Sequence, residues 1–332
     1  MSLNYSIIIP VYNRPQEIEE LLHSLVNQTY AKSFEIVIIE DGSTNTCDLI
    51  TEKFKNKLSI TYLFKENTGA GQSRNEGMKI AKGNYFIILD SDVILPKNYL
   101  VEIDDALNKN YTDTFGSQDK AHKSFTAIQK AINYAMTSFL TTGGLRNNKG
   151  TNSKFQLRSF NMGISKKAFL KTNGFSNQNF GEDIDLSYKI WNAGFESQFI
   201  KTAFVYHKRR SDFKQFYKQT FNFGSARPIL NRQHKSSAKL TYWFPSLFVL
   251  GLFIAVLFSF FGFHYFSYFY LCYFILILIT SLMLIKSIKG CFLSVIATPV
   301  QFFGYGFGFM RSQFRLRILN KNIKDTFPKM FN

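Results

Sequence analysis

Asp90 and Asp92 flank Ser91 directly after an apolar run, residues 85–89, YFIIL. Two carboxylates spaced i, i+2 at the end of a strand can lean toward one hard cation. Mg2+ or Mn2+ held that way keeps coordination positions open for phosphate oxygens. Asp-x-Asp is also common in plain turns, so both readings stand on the residue types alone. Asp41 closes a second apolar run within EDGS. A carboxylate there can accept a hydrogen bond from a base N–H or a ribose hydroxyl, and Asp-Gly is equally a strong turn pair. The run NTGAGQSRNEG carries Asn67, Gly69, Gly71, Arg74, Asn75 and Gly77. Its glycines let backbone approach a ligand, and the helix start behind them favours an anion. Arg74 suits a phosphate or a neighbouring carboxylate. The spacing is neither a Walker loop nor the dinucleotide fingerprint.

Glu182, Asp183 and Asp185 lie in NFGEDIDL, ahead of a helical pattern, DLSYKIWNAG. Acidic residues at a helix start complement its dipole or cap it. The alternative is a general base that takes a proton from an attacking hydroxyl. His207 follows FVY and precedes Lys208, Arg209 and Arg210. A neutral imidazole there completes a metal site with the aspartates, or is an ordinary surface histidine. Gln219, Gly224 and Arg227 in KQTFNFGSARP line a pocket rim or belong to an interfacial helix. The aromatic residues Phe213, Phe216, Tyr217, Phe221 and Phe223 suit seating at a membrane surface.

The elements that must position these groups alternate. Strands are expected over 5–11, 35–39, 59–64 and 85–89, with helices from Pro15, over 46–56 and over 71–82. That order implies a parallel sheet covered by helices on both faces. Ligands of such sheets bind beyond the carboxyl ends of the strands, where three of the polar clusters fall.

A length of 332 residues suits two units. Apolar residues make up 45% and aromatic residues 17%, which excludes a disordered chain. Three cysteines, Cys47, Cys272 and Cys291, are too few for a disulfide scaffold. The start, MSLNYSIIIPVYN, has no basic leader or cleavage site, so the N-terminal part is expected to stay in the cytosol. The net charge of +17 is concentrated over 201–240 and 311–332, on both sides of an apolar region without Lys, Arg, Asp or Glu over 242–285. That placement favours anionic membrane lipids over nucleic acid. Stretches 243–263 and 265–285 are each long enough to cross a bilayer, with a break at Gly262-Phe263-His264. Basic residues before 240, and Lys286 and Lys289 after, place both ends of this hairpin on the cytosolic side. A third apolar stretch, 290–310, contains Pro299, Gly304, Gly306 and Gly308 between two basic flanks, and is expected to be re-entrant or interfacial, with a third crossing as the rival. The division is then a cytosolic domain over 1–235 and a membrane domain over 236–332 that ends in a basic tail.

The segments SIIIPVYNRP, EIVIIEDGST, NTGAGQSRNEGM, FIILDSD, SFNMGISKKAF and NFGEDIDLSYKI occur in one order. Together, over about residues 4–230, they resemble glycosyltransferase family 2. The resemblance implies an α/β GT-A fold with a mainly parallel central sheet, here followed by C-terminal transmembrane helices. It implies transfer of a sugar from a nucleotide-diphosphate sugar with inversion. Pro10, Tyr12 and Asp41 would hold the nucleoside. Asp90 and Asp92 match the metal and diphosphate motif, with Asp92 the more direct ligand, and His207 matches a further ligand of some members. Asp183 matches the catalytic base, with Glu182 as neighbour and rival. With the glycine-bearing run, the donor-binding candidates are Pro10, Tyr12, Asp41, Asn67, Gly69, Arg74, Asp90 and Asp92. Glu40 stands where many members carry an aspartate.

The expected enzyme sits in the cytoplasmic membrane and builds cell-surface polysaccharide or glycolipid on a glycan or lipid-linked acceptor. Residues 113–156, including TTGGLRNNKG, are expected on the acceptor side. A processive synthase is disfavoured by the two expected spans and the lack of a Gln-x-x-Arg-Trp signature. An inactive scaffold of the same fold and a nucleotidyltransferase remain as rivals.

Overall fold

The computed structural model describes residues 2–122, 124–143, 154–285 and 287–331. Lys286 and most of TTGGLRNNKG lie outside the described residues. The chain divides into two compact units. One comprises Met1–Lys120 and Lys149–His207 with the last two residues; the other comprises Ala121–Asn148 and Lys208–Met330. This division departs from the expected boundary at 235, because the helices over 127–137 and 213–233 pack with the C-terminal helix over 288–317.

In the first unit, β1 (Tyr5–Val11), α1 (Pro15–Val26), β2 (Glu35–Asp41), α2 (Asp48–Glu52), β3 (Ser59–Lys65), α3 (Ala70–Ile80) and β4 (Tyr85–Leu89) follow the expected alternation. After them come β5 (Val93–Ile94), α4 (Tyr99–Lys109), β6 (Thr114–Gly116) and β7 (Asp119–Lys120). The chain passes through α5 (Ala127–Thr137) and α6 (Phe139–Thr142) of the second unit. It returns as β8 (Asn161–Ser165), α7 (Lys166–Thr172), α8 (Glu182–Asn192), β9 (Ser197–Phe199) and β10 (Val205–His207).

A seven-stranded sheet runs β3-β2-β1-β4-β8-β6-β9, parallel except where β8 pairs antiparallel with β4 and β6. β1 is buried at every residue, as its near-continuous apolar run requires of a strand covered on both faces. The period of two assigns the sides. Ile7 and Ile9 join Ile18, Leu21 and Leu22 of α1 in one core. Ile8 joins Met78 of α3 and Leu186 and Ile190 of α8 in the other. A second, three-stranded sheet, β5-β10-β7, sets His207 opposite Val93.

The second unit is helical: α5, α6, α9 (Phe213–Gln233), α10 (Phe244–Phe260), α11 (Tyr265–Ile285) and α12 (Ile288–Arg317). Three segments, Leu240–Phe260, Tyr265–Ile285 and Ile288–Arg317, are long and apolar enough to cross a membrane. The break between the first two is at Gly262, which has φ +83°. α11 buries Ile277 and Ser281 while Phe269, Leu271, Ile275 and Leu282 stay exposed, a distribution that suits a lipid solvent.

The third segment covers the stretch 290–310 that was expected to be re-entrant or interfacial. It is one helix of 30 residues that continues through Pro299. Its glycines are packing positions, not breaks. A Cβ on Gly304 would lie 2.1 Å from Thr220 Oγ1, and one on Gly308 would lie 2.2 Å from the Phe221 carbonyl, both on α9. Reciprocally, a Cβ on Gly224 of α9 would lie 2.1 Å from the Tyr305 carbonyl. Small residues on both sides let two backbones touch where side chains would hold them apart.

Gly224→Ala and Gly308→Ala each drive a methyl group into a backbone carbonyl, which cannot rotate away. Each is expected to destabilise the helical unit by about 1–3 kcal/mol, the usual cost of overpacking, seen as a lower unfolding temperature in detergent. An unchanged melting curve for both would mean that α9 and α12 lie further apart.

Candidate active site

Asp90 hangs from the end of β4 in the main sheet, and Asp92 immediately precedes β5 of the small one. Because β10 pairs with β5 in the register that sets His207 beside Val93, the imidazole arrives next to Asp92. One ligand atom from each of Asp90, Asp92 and His207 lies within 4.8 Å of the others. The His207 Nε2 is 3.1 Å from Asp92 Oδ1, and the ring stacks on Phe160 with centroids 4.8 Å apart. The other carboxylate oxygen, Oδ2, accepts a hydrogen bond from Arg14 Nη1 at 2.7 Å. Two carboxylates and an imidazole are an oxygen and nitrogen donor set suited to Mg2+ or Mn2+, so the residues fit the cation that the resemblance implies.

Arg74 connects this set to the acidic helix start. Its side chain is 3% exposed. Nη2 donates to Asp90 Oδ1 at 2.7 Å and Nη1 donates to Glu182 Oε1 at 3.1 Å. The Phe175 ring lies 5.2 Å from the guanidinium carbon. Of its two sequence readings, a phosphate or a carboxylate, both terminal nitrogens satisfy the second. The approach depends on Gly71: a Cβ there would sit 3.3 Å from Phe175 Cβ and 3.7 Å from Glu182 Cγ.

Burial pushes the Glu182 carboxyl up to about 7, the adjacent Asp183 charge adds to that, and Arg74 pulls the other way. Asp183 accepts the Ile184 N–H at 2.8 Å in the first turn of α8 and is partly exposed. Asp185 turns inward to the Ser176 hydroxyl at 2.5 Å, a structural tie. The start of α8 is set by Gly181, whose φ of +74° only glycine adopts without strain.

Asp41, at the end of β2, holds the turn in front of α3. Its carboxylate accepts from Lys65 Nζ at 2.5 Å and from the backbone N–H groups of Thr68 and Gly69, each at 2.9 Å. Asn67 donates to the Asp41 carbonyl at 2.9 Å. The turn reading of Asp41 is therefore realised, and its carboxylate is 4% exposed. Glu40 is fully buried and accepts from the Ser43 hydroxyl and from the Cys47 N–H, so position 40 braces the loop after β2. Pro10 is buried in β1, whereas Tyr12 just beyond it is 52% exposed.

The structure thus joins Asp90, Asp92, His207, Arg74 and Glu182 in one chain of contacts, with Asp183 adjoining. Asp41, Asn67 and Gly69 are joined in a second, at the start of the same helix α3. Gln219, Gly224 and Arg227 belong to α9, where the Arg227 guanidinium lies 4.3 Å from the centre of the Tyr242 ring. Sequence reasoning missed Arg14 and Lys65. The available signal was position: Arg14 follows the end of β1 and Lys65 ends β3, so both stand at carboxyl ends of the sheet amid carboxylates.

Residues 6–172 match the sequence model of a family described as Glycosyl transferase family 2. The match ends before Glu182. Over 114 residues the chain is 34% identical to the poly(ribitol-phosphate) β-N-acetylglucosaminyltransferase TarS of Staphylococcus aureus, covering 33% of this chain and 20% of TarS. The chain therefore spans about a fifth of that relative's length. It is 25% identical over 239 residues to the glycosyltransferase GlyG of Streptococcus pneumoniae, covering 69% of this chain and 78% of GlyG. Among solved structures, the mannosyltransferase PcManGT of Pyrobaculum calidifontis, in complex with GDP-Man and Mn2+, superposes with a TM-score of 0.54 at 13% identity. That superposition covers 91% of this chain and 88% of the other, a likeness of fold.

The raised Glu182 carboxyl has a consequence for stability. Its proton is held more tightly in the folded state than at the ordinary value of 4.5, so the stabilisation is full below that value and is lost as pH rises through about 7. Thermal unfolding of wild type and Glu182→Gln, followed from about pH 5 to about pH 8, is expected to show wild type losing stability relative to the variant. A difference between the two that stays constant with pH would refute the raised value.

Proposed function

The chain belongs to glycosyltransferase family 2, and from that premise we propose that it transfers a sugar from a nucleoside diphosphate sugar to an acceptor hydroxyl, with inversion. The observation that carries the reading is the Arg74 bridge. A single guanidinium holds Asp90 of the cation set and Glu182 of the acidic helix start, which brings Asp183 to the same place.

Bound by Asp90, Asp92 and His207, Mg2+ or Mn2+ would supply Lewis-acid neutralisation of the leaving diphosphate. The residues of the chain do the rest. Arg14 offers a guanidinium beside Asp92, a source of further positive charge at the diphosphate. The half-exposed Tyr12 ring is available to a base, and the turn at Asn67 and Gly69, braced by Asp41, offers backbone to the donor. Asp183 accepts the proton of the acceptor hydroxyl as the new C–O bond forms. Attack from the face opposite the diphosphate inverts the anomeric carbon. Asp183 suits this role better than Glu182. Glu182 is tied to Arg74, and burial raises its carboxyl to about 7, which makes it the more reluctant of the two to stand ionised. Asp183 is partly exposed and lies in the first turn of α8, free of the arginine that holds its neighbour.

The three apolar helices and the basic segments beside them support an enzyme anchored in the cytoplasmic membrane, with its catalytic unit facing the cytosol and anionic lipids. The kinship with TarS supports a polymer acceptor, as in synthesis of cell-surface polysaccharide or glycolipid.

The reading is tested by incubating protein purified in detergent with UDP-, GDP- and dTDP-sugars and Mn2+ and measuring released nucleotide. Release from one donor class is expected; no release from any donor, with or without candidate acceptors, would leave an inactive scaffold as the better account. Asp183→Asn is expected to lower turnover by about a hundredfold or more while the donor dissociation constant stays within about twofold. Normal turnover would remove Asp183 from the role of base. In Asp92→Ala the Mn2+-dependent part of donor binding should vanish in calorimetry, and unchanged binding would refute its assignment as a ligand.

A further inference from the structure

We propose that Arg14 is a counterion switch that makes divalent cation and nucleoside diphosphate bind together rather than independently. The proposal rests on the function just given. It starts from a difference between two arginines. Arg74 is 3% exposed, locked between two carboxylates and covered by Phe175. Arg14 is 32% exposed and holds one partner, Asp92, through one terminal nitrogen. Its backbone is fixed on both sides: the Ile18 N–H donates to the Arg14 carbonyl at 3.2 Å, and the preceding Asn13 N–H donates to the Ser43 hydroxyl at 2.7 Å. The base of the side chain is anchored while its charged end lies at the edge of solvent. It can swing; the Arg74 side chain cannot.

The charges explain the coupling. Asp90 is matched by Arg74 and Asp92 by Arg14. A divalent cation arriving alone takes Asp92 Oδ1 beside His207 and draws on the carboxylate charge that holds Arg14 at Oδ2, which leaves the guanidinium without a full counterion. A nucleoside diphosphate supplies the missing anion, to which the released Arg14 can donate two parallel hydrogen bonds. Each ligand then raises the affinity of the other by the same factor. Arg14 is a positioning residue: it reaches the diphosphate only after giving up Asp92.

The test measures Mn2+ affinity by electron paramagnetic resonance, alone and with UDP, GDP or dTDP, in wild type, Arg14→Gln and Arg14→Lys. In wild type the matching nucleoside diphosphate is expected to tighten Mn2+ binding about tenfold or more. In Arg14→Gln, Mn2+ alone should bind about three- to tenfold more tightly than to wild type, a range set by a partly exposed ion pair, and the tightening by nucleotide should shrink by a similar factor. Arg14→Lys keeps the charge and should restore most of the wild-type behaviour. If Arg14→Gln matches wild type with and without nucleotide, the switch is overturned while the cation site stands. If wild type binds no Mn2+ even with nucleotide, the function on which the switch rests fails, and the switch with it.

Discussion

A guanidinium buried to 3% exposure is tolerable only when it is paired, and the pairing of Arg74 organises the catalytic unit. Its partners come from distant stretches of chain: Asp90 lies 16 residues away and Glu182 lies 108 residues away. Glu182 left without the arginine would be a largely buried carboxylate without its counterion, and Asp90, which is more exposed, would lose its tie to α3, so the end of β4 and the start of α8 are bound to one position on α3. The same helix begins at the turn that Asp41 holds through Lys65, Thr68 and Gly69. α3 therefore ties three strand ends together, and the approach is allowed by Gly69, which caps it, and Gly71 in its first turn.

This constraint also divides the labour between two neighbouring acids. Glu182 is the one the arginine grips, and its burial raises its proton affinity. Asp183, one residue on, escapes the grip and lies at the dipole's positive end. Two chemically similar side chains acquire different surroundings because one is bound to the arginine and the next is not, a separation of environments by which carboxylates are assigned acid and base duties elsewhere.

Much of this was legible in the sequence because fully covered parallel strands announce themselves as unbroken apolar runs. β1 and β4 fall at their expected residues, and β2 and β3 extend only one or two residues further, to Asp41 and Lys65. The cation set was legible from Asp90 and Asp92, since an i, i+2 spacing after a strand has few geometries. Ion pairs between distant segments were not. Arg14 and Asp92 are 78 residues apart and Lys65 and Asp41 are 24 apart, and no local pattern joins them. The packing role of the α12 glycines was hidden for a related reason. Glycine in an apolar stretch signals a break only when nothing fills the space it leaves. Here α9, which lies earlier in the chain, fills it with its own backbone. The helix expected over 46–56 shortens to 48–52: Glu40 takes the Cys47 N–H at its start, and the Lys53 and Phe54 N–H groups turn to the carbonyls of Ile50 and Thr51 at its end.

The small sheet deserves a last consideration. Its strand β10 is three residues long and carries His207 at its final position, while the seven-stranded sheet carries Asp90. In a strand, sliding by one residue sends each side chain to the opposite face. A one-residue slip of β10 against β5 would thus turn the imidazole away from Asp90 and Asp92 with the main scaffold intact. The third donor is a detachable part, open to evolutionary trial in a way that the two aspartates, rooted beside the deepest strand, are not.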